Sequence, residues 1–154
     1  MQVHSLRSRK RYRSQFAQMM PEFTASLMMI VPLIIISIYV MIEASEAYVI
    51  HCTLKQAAST AARKLAMSYG LDPKYTLNRW SEIVSSIDYP GVVNSYKQFE
   101  LSGNGFNEKS NPPTVTVKVH FVSDEFGCRH FPEPDILGLG KGFEIVAEST
   151  CRLE

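Results

Sequence analysis

The sequence predicts an α+β protein in which a long N-terminal helix packs on a small antiparallel sheet with one short extra helix. Three observations predict this fold class. An apolar run lies near the N-terminus, a stripe of apolar positions at helical spacing follows it, and the C-terminal part alternates apolar and polar residues at strand spacing. A chain of 154 residues has the size of one small domain plus a tail.

The apolar run, Phe23 to Ile42, has no ionisable side chain other than Tyr39. A helix of that length spans about 30 Å, the thickness of a hydrocarbon core. The basic residues that precede it, with no acid among them, predict that this end stays in the cytoplasm: Arg7, Arg9, Lys10, Arg11 and Arg13. No aromatic-interleaved basic surface follows them, so a nucleic-acid partner is not expected.

The helical pattern continues beyond the run. Apolar positions recur at steps of three and four, and Gly70 is a typical stop after them: Ala47, Ile50, Leu54, Ala58, Ala61, Leu65 and Tyr69. Because no turn cluster separates run and stripe, we expect one helix from about Pro21 to Tyr69, with a transmembrane half and an outer amphipathic half. Pro21 suits its first turn, whereas Pro32 predicts a kink in mid-span.

The remaining elements are shorter. After "GLDP", a helix is expected from about Thr76 to Ile87, with a shared apolar face: Trp80, Ile83, Val84 and Ile87. "TVTVKVHF" and "FEIVAESTCRLE" alternate as strands, with these residues facing the core: Val115, Val117, Val119 and Phe121 in the first, and Phe143, Ile145, Ala147, Cys151 and Leu153 in the second. A further strand is expected over 92–101, followed by the polar loop "SGNGFNEKSNPP".

The cysteines predict a disulfide between Cys128 and Cys151. Three strands and a short helix enclose only a small core, and a compartment outside the cytoplasm permits disulfides. Closing this loop would stabilise the fold by roughly 3 kcal/mol on the chain-entropy model. Cys52 is left over, and we interpret it as a small buried packing residue rather than as an intermolecular bridge.

No pattern typical of an enzyme is present. The sequence has no Gly-rich phosphate loop, no nucleophile elbow and no pair of histidines at helical metal spacing. Cys128, His130 and Cys151, with His120 or His51, fit no zinc spacing, so neither a metal nor a cofactor is expected. The segment "GLGKG", 138–142, leads into a strand and is interpreted as a turn.

The N-terminal motif is the most specific one. A basic segment, then "AQMMPEF", then "TASLMMIVPLIII" resembles the class III signal of type IV pilins and pseudopilins, and more narrowly the TadE-like pseudopilins of tight-adherence (Flp) pili. "AASTAARKLA" after the span and the final Arg152-x-Glu154 are also similar. The resemblance implies a pilin-like fold and cleavage by a membrane-embedded prepilin peptidase between Ala17 and Gln18. Glu22 is then the fifth residue of the mature chain and Phe23 the sixth.

The resemblance also implies a function and a location. It divides the chain into a leader (1–17), the transmembrane half of the helix (18–42) and a periplasmic domain (43–154). A minor pseudopilin initiates, caps or supports the pilus, and the output of the pilus is cell adhesion, motility or DNA uptake. Its partners would be prepilin peptidase, other pseudopilins, the major pilin, the inner-membrane assembly platform and membrane lipid. The protein would lie in the inner membrane as a single-pass protein, or in the pilus.

The position of Glu22 has a physical interpretation under this resemblance. A lone carboxylate at the bilayer edge costs up to about 2.5–3.5 kcal/mol. Cleavage after Ala17 would create an α-ammonium on Gln18, within roughly 6 Å along a helix. We expect that cation, or a neighbour's, to be the counter-ion of Glu22.

Two alternatives remain open. The first is an unprocessed single-pass scaffold of an envelope complex, in which Glu22 is an ordinary interfacial residue. The second is a secreted binding domain released by ordinary signal peptidase, with a mature start near Tyr48. "SEA", ending at Ala47, is a poor match to such a cleavage site, because the apolar run is long and two glutamates lie between the run and Ala47.

Overall fold

The structure is a computed structural model that describes residues 4–89, 93, 95–126, 128 and 134–153, with side chains for all of these except 4–21 and 103–104. The elements in chain order are α1 (His4–Leu71), α2 (Pro73–Ser85), a 3-10 turn (Tyr96–Gln98), β1 (Phe99–Asn107), β2 (Thr114–Val122) and β3 (Glu144–Arg152). The chain divides into two compact units, Met1–Met41 and Ile42–Glu154. In the second unit α1 packs on the antiparallel sheet together with α2. This α+β, pilin-like layout is the one predicted from the sequence.

Helix α1 begins earlier than predicted. It starts at His4 and not near Pro21, so the assignment of Pro21 to the first turn is wrong. The segment before Pro21 contains no glycine, and its Arg, Lys and Gln residues are good helix formers. The end of α1 at Leu71 lies within two residues of the predicted one. Helical structure also continues through Pro32, where the kink stays a prediction.

The outer half of α1 is held by its predicted apolar stripe. Leu54, Ala58, Ala61 and Leu65 are completely buried against the sheet, which confirms the helical periodicity. Three further alanines widen this face, so that the buried surface is broader than the stripe: Ala57, Ala62 and Ala66.

Helix α2 starts three residues before the predicted start. Asp72 is its N-cap, since its side chain accepts a hydrogen bond of 3.1 Å from the backbone N–H of Tyr75, and Pro73 occupies the first turn. An acidic cap followed by proline is a typical helix start, so "DP" in the sequence carried this signal. The predicted face is confirmed for Ile83 and Val84, which are buried, and for Trp80, which packs partly against the core. Ile87 lies beyond the end of α2 at Ser85, so the predicted end of the helix was two residues too late.

The sheet has the order β1-β2-β3, and both pairings are antiparallel. Strand β2 lies in the centre and alternates strictly, with the four predicted residues buried: Val115, Val117, Val119 and Phe121. Strand β3 pairs along the whole of β2, from Thr114 opposite Arg152 to Val122 opposite Glu144. The predicted inward residues of β3 are those that pack on the core.

Strand β1 differs most from its prediction. It covers Phe99–Asn107 rather than 92–101, so the first half of the predicted polar loop belongs to the strand, and residue 92 lies outside the described residues. The pairing register shifts between Leu101 and Phe106, as at a β-bulge. Gly105 adopts φ +64°, and Phe106 beyond it is buried and stacks on Tyr69 at 5.3 Å between ring centroids. The bulge interrupts the alternation by which a strand is recognised in sequence.

Candidate functional site

The apolar run is exposed on all sides of α1. From Glu22 to Ile42 every side chain is exposed except that of Val40, which is half-buried. A helix that is apolar all round requires a bilayer or a protein around it. Within the described residues it is the one helix long and apolar enough to cross a membrane, and none of its apolar window is buried. This is compatible with a single membrane span or with a signal sequence.

The two serine hydroxyl groups of the run are satisfied inside the helix. Ser26 Oγ donates to the carbonyl oxygen of Glu22 at 2.9 Å, and Ser37 Oγ donates to that of Leu33 at 2.7 Å. A serine that bonds the preceding turn leaves no hydroxyl donor in need of water. Both serines are therefore suited to apolar surroundings.

The predicted processing and assembly residues all lie on α1. Ala17 and Gln18 are helical, and their side chains are outside the described ones. Glu22 is exposed, and Phe23 is 68% exposed. Glu22 lies four positions after Gln18, which is about 6 Å along a helix. Cleavage after Ala17 and the counter-ion role stay predictions.

A contact that the sequence did not reveal begins directly after the run. Glu43 is only 1% exposed, and its two carboxylate oxygens accept hydrogen bonds from the backbone N–H groups of Ile136 and Leu137, each at 2.8 Å. Two charge-assisted bonds compensate for the lost hydration of a buried carboxylate. We call residues 134–140 the Glu43 loop.

A second carboxylate holds the Glu43 loop from within. Asp135 accepts hydrogen bonds from the backbone N–H groups of Leu139 at 2.7 Å and Gly140 at 2.9 Å. A Cβ at position 140 would meet the Asp135 Oδ2 atom at 2.7 Å, so any other residue there would displace the Asp135 carboxylate. The segment 138–142 is made of bends and a turn, which confirms the interpretation of "GLGKG" as a turn.

The predicted disulfide is wrong, because Cys128 and Cys151 are both free thiols. Gln98 Nε2 donates to Cys128 Sγ and to the carbonyl oxygen of His120, each at 3.3 Å. Cys151 pairs with Val115, which lies five residues from His120 along β2, or about 16 Å. A disulfide needs Cα atoms about 4.4–6.8 Å apart. Burial raises the pKa of the Cys128 thiol, and a hydrogen bond with the Val122 backbone lowers it to a smaller extent.

The interpretation of Cys52 as a buried packing residue is also wrong, because Cys52 is exposed. It lies two residues from Leu54, or about 200° around the helix from the buried stripe, a signal that was present in the sequence. Its hydrogen bond with the Tyr48 side chain raises the pKa of that phenol.

A histidine on the outer face of the sheet connects its three strands. His120 Nδ1 lies 2.5 Å from Glu144 Oε1, and His120 Nε2 lies 3.1 Å from Glu100 Oε2. Cross-strand pairs of this kind stabilise a sheet. His130, named among the weak metal candidates, lies outside the described residues. Within the part of the chain that the structure describes, no group of three or more His, Cys, Asp or Glu side chains could hold a metal ion.

Tyr89 lines an open groove of about 380 Å³ between the end of α2 and the 3-10 turn. Its ring packs on Phe99 at 4.8 Å between centroids, and its buried hydroxyl has no hydrogen-bond partner among the described residues. Burial raises the pKa of this phenol. The neutral form is therefore favoured in the folded protein.

Replacing Tyr89 with phenylalanine is expected to leave the free energy of unfolding unchanged, or to raise it by up to about 1 kcal/mol, because an unpaired buried hydroxyl is removed.

The stability that the raised pKa of Tyr89 confers is present below the unfolded value of about 10 and is lost as the pH rises above it. Y89F should therefore lose less stability than wild type between about pH 8 and about pH 11 in denaturant titrations. Y96F, at an exposed tyrosine, is the control. Identical pH dependence of Y89F and wild type would contradict the prediction.

Comparisons with protein-family models, with curated proteins and with solved structures found no match to the chain. A function is therefore argued from the residues themselves. The features that bear on it are the exposed apolar run, the helix that continues it onto the sheet, and the position of Glu22.

Proposed function

We propose that this protein is a TadE-like minor pseudopilin, trimmed by a prepilin peptidase and taking part in the initiation, capping or support of a tight-adherence pilus. The observation that carries the proposal is α1, in which an apolar run exposed on all sides continues without a break into the face that packs on the sheet. A pilin-type subunit needs both halves. One is held by lipid or by other helices, and the other carries a folded domain.

The exposed run suits a subunit that leaves the membrane for a helical bundle. Lipid tails and apolar side chains are alike in polarity, so exchanging lipid for neighbouring helices changes little hydrophobic free energy. The basic leader opposes this exchange, because its five positive charges favour the cytoplasmic surface. Its removal converts an anchored precursor into a subunit that can be extracted.

Glu22 then acquires a partner. In a bundle of low dielectric constant a carboxylate and an ammonium attract each other far more strongly than in water. Cleavage after Ala17 supplies that ammonium on Gln18, in the same chain or a neighbouring one. The proposed role of Glu22 is thus to fix the register of the subunit during assembly.

Mass spectrometry of the mature N-terminus tests the proposal. In cells with prepilin peptidase the chain should start at Gln18, and in cells without it at Met1. Replacing Ala17 with leucine should block trimming, because a larger side chain stands before the cut, whereas A25L in the apolar run should not. A start near Tyr48 in either strain would instead indicate ordinary signal peptidase and a released domain.

Replacing Glu22 with alanine is expected to leave trimming intact and to lower incorporation into pili by at least about tenfold, the equivalent of about 1.4 kcal/mol of lost attraction. Incorporation is measured by immunoblotting of sheared pili against whole-cell protein. E82A removes an exposed carboxylate that pairs with Arg79 on α2 and is the control. Normal incorporation of E22A would contradict the counter-ion role.

One observation favours the alternative of an unprocessed single-pass scaffold. Helix α1 continues across Ala17 and Gln18, whereas proteolysis generally favours exposed loops. Recovery of the chain from peptidase-containing cells with Met1 as its first residue would support this second candidate.

A further inference from the structure

The Glu43 loop displays two large apolar side chains to the outside. Ile136 is 38% exposed and Leu137 is 45% exposed, whereas Leu139 is buried in the core. Leu139 anchors the loop in the core, and the Glu43 carboxylate binds the backbone amides of Ile136 and Leu137. The backbone that carries these two exposed side chains is therefore fixed in place.

The backbone of this loop is prepared for surroundings without water. Four of its N–H groups donate to carboxylates, two to Glu43 and two to Asp135. Exposed loops ordinarily leave such donors to water, whereas a backbone at the edge of a bilayer must satisfy them within the protein. Satisfied donors beneath exposed apolar side chains lower the cost of placing this loop in lipid.

The position of Glu43 in the chain places the loop at the end of the apolar run. Glu43 follows Ile42 directly. The amides of Ile136 and Leu137 are thus bound by the first residue after the apolar run.

We infer that Ile136 and Leu137 insert into the boundary between headgroups and acyl chains of the outer leaflet, and that Glu43 positions them there. The inference rests on the membrane insertion of α1 contained in the proposed function. Lipid is the occupant because the exposed pair is hydrogen-bonded to Glu43, and Glu43 directly follows in the chain the segment that lipid would surround.

Tryptophan fluorescence of the full chain in nanodiscs, one chain per disc, tests the inference. L137W places the probe on the loop, L33W places one within the run, and L71W places one at the opposite end of α1. Trp80 stays in every variant, and the wild-type emission is subtracted. In lipid brominated near the top of the acyl chains, L137W should lose about twofold in intensity, since interfacial apolar groups lie about 5–10 Å into this boundary. L71W should be unaffected.

The outcomes separate the inference from the proposal beneath it. A second lipid, brominated near the ends of the acyl chains, reports on L33W, which lies in mid-span. Quenching of L33W in that lipid, without quenching of L137W in the first, would overturn the loop contact and leave membrane insertion intact. No quenching of L33W in the second lipid would overturn membrane insertion itself. Blue-shifted L137W emission without quenching would mean that protein, such as a second copy, covers the loop, and would also overturn the inference. Adding E43A to L137W should reduce the quenching, and unchanged quenching would refute the positioning role of Glu43.

Discussion

Replacing Leu65 with alanine is expected to lower the free energy of unfolding of the outer domain by about 3–5 kcal/mol. Leu65 is completely buried on the face of α1 that packs on the sheet. Its truncation removes apolar surface from the core and leaves a cavity that the surrounding strands can fill only in part. A loss of this size is a large fraction of the stability of a small domain.

Leu71 provides a matched control for this substitution. It has the same side chain on the same helix but is 89% exposed, so L71A should change stability by less than about 0.5 kcal/mol. Unfolding of the full chain in detergent micelles can be followed by the fluorescence of Trp80, which packs partly against the core. Equal effects of L65A and L71A would refute the packing of α1 on the sheet.

Replacing Glu43 with alanine is expected to destabilise the Glu43 loop by about 2 kcal/mol. The amides of Ile136 and Leu137 lose their acceptor, and hydrogen bonds to charged groups are worth about 1.5–3 kcal/mol. Hydrogen exchange at these two amides should accelerate about 30-fold, which is the same free energy at about 1.4 kcal/mol per factor of ten.

Two further variants sharpen this test. E43Q keeps one acceptor oxygen without the charge, so its effect on exchange should lie between those of wild type and E43A. E82A removes an exposed glutamate on α2 and should leave exchange in the loop unchanged. Wild-type exchange rates at Ile136 and Leu137 in E43A would show that the carboxylate does not hold the loop.

The accuracy of the sequence predictions follows the range of the interactions involved. The stripe ending at Tyr69 and the alternation in β2 were predictable, because each residue's burial repeats with the period of its own element. Strand β1 was placed too early because its bulge breaks that period. The disulfide was wrong because loop length and compartment contain no information on tertiary position: Cys151 on β3 pairs with Val115, whereas Cys128 shares the side chain of Gln98 with His120.

The sequence by itself determined the apolar run after a basic segment, the amphipathic continuation of that helix and the faces of the two C-terminal strands, since these are properties of neighbouring residues. Only the tertiary structure decided that Glu43 binds amides 93 and 94 residues away and that its loop presents Ile136 and Leu137. Such a contact depends on how the sheet folds back on α1. No local pattern of charge or hydropathy specifies the partner of a single buried carboxylate.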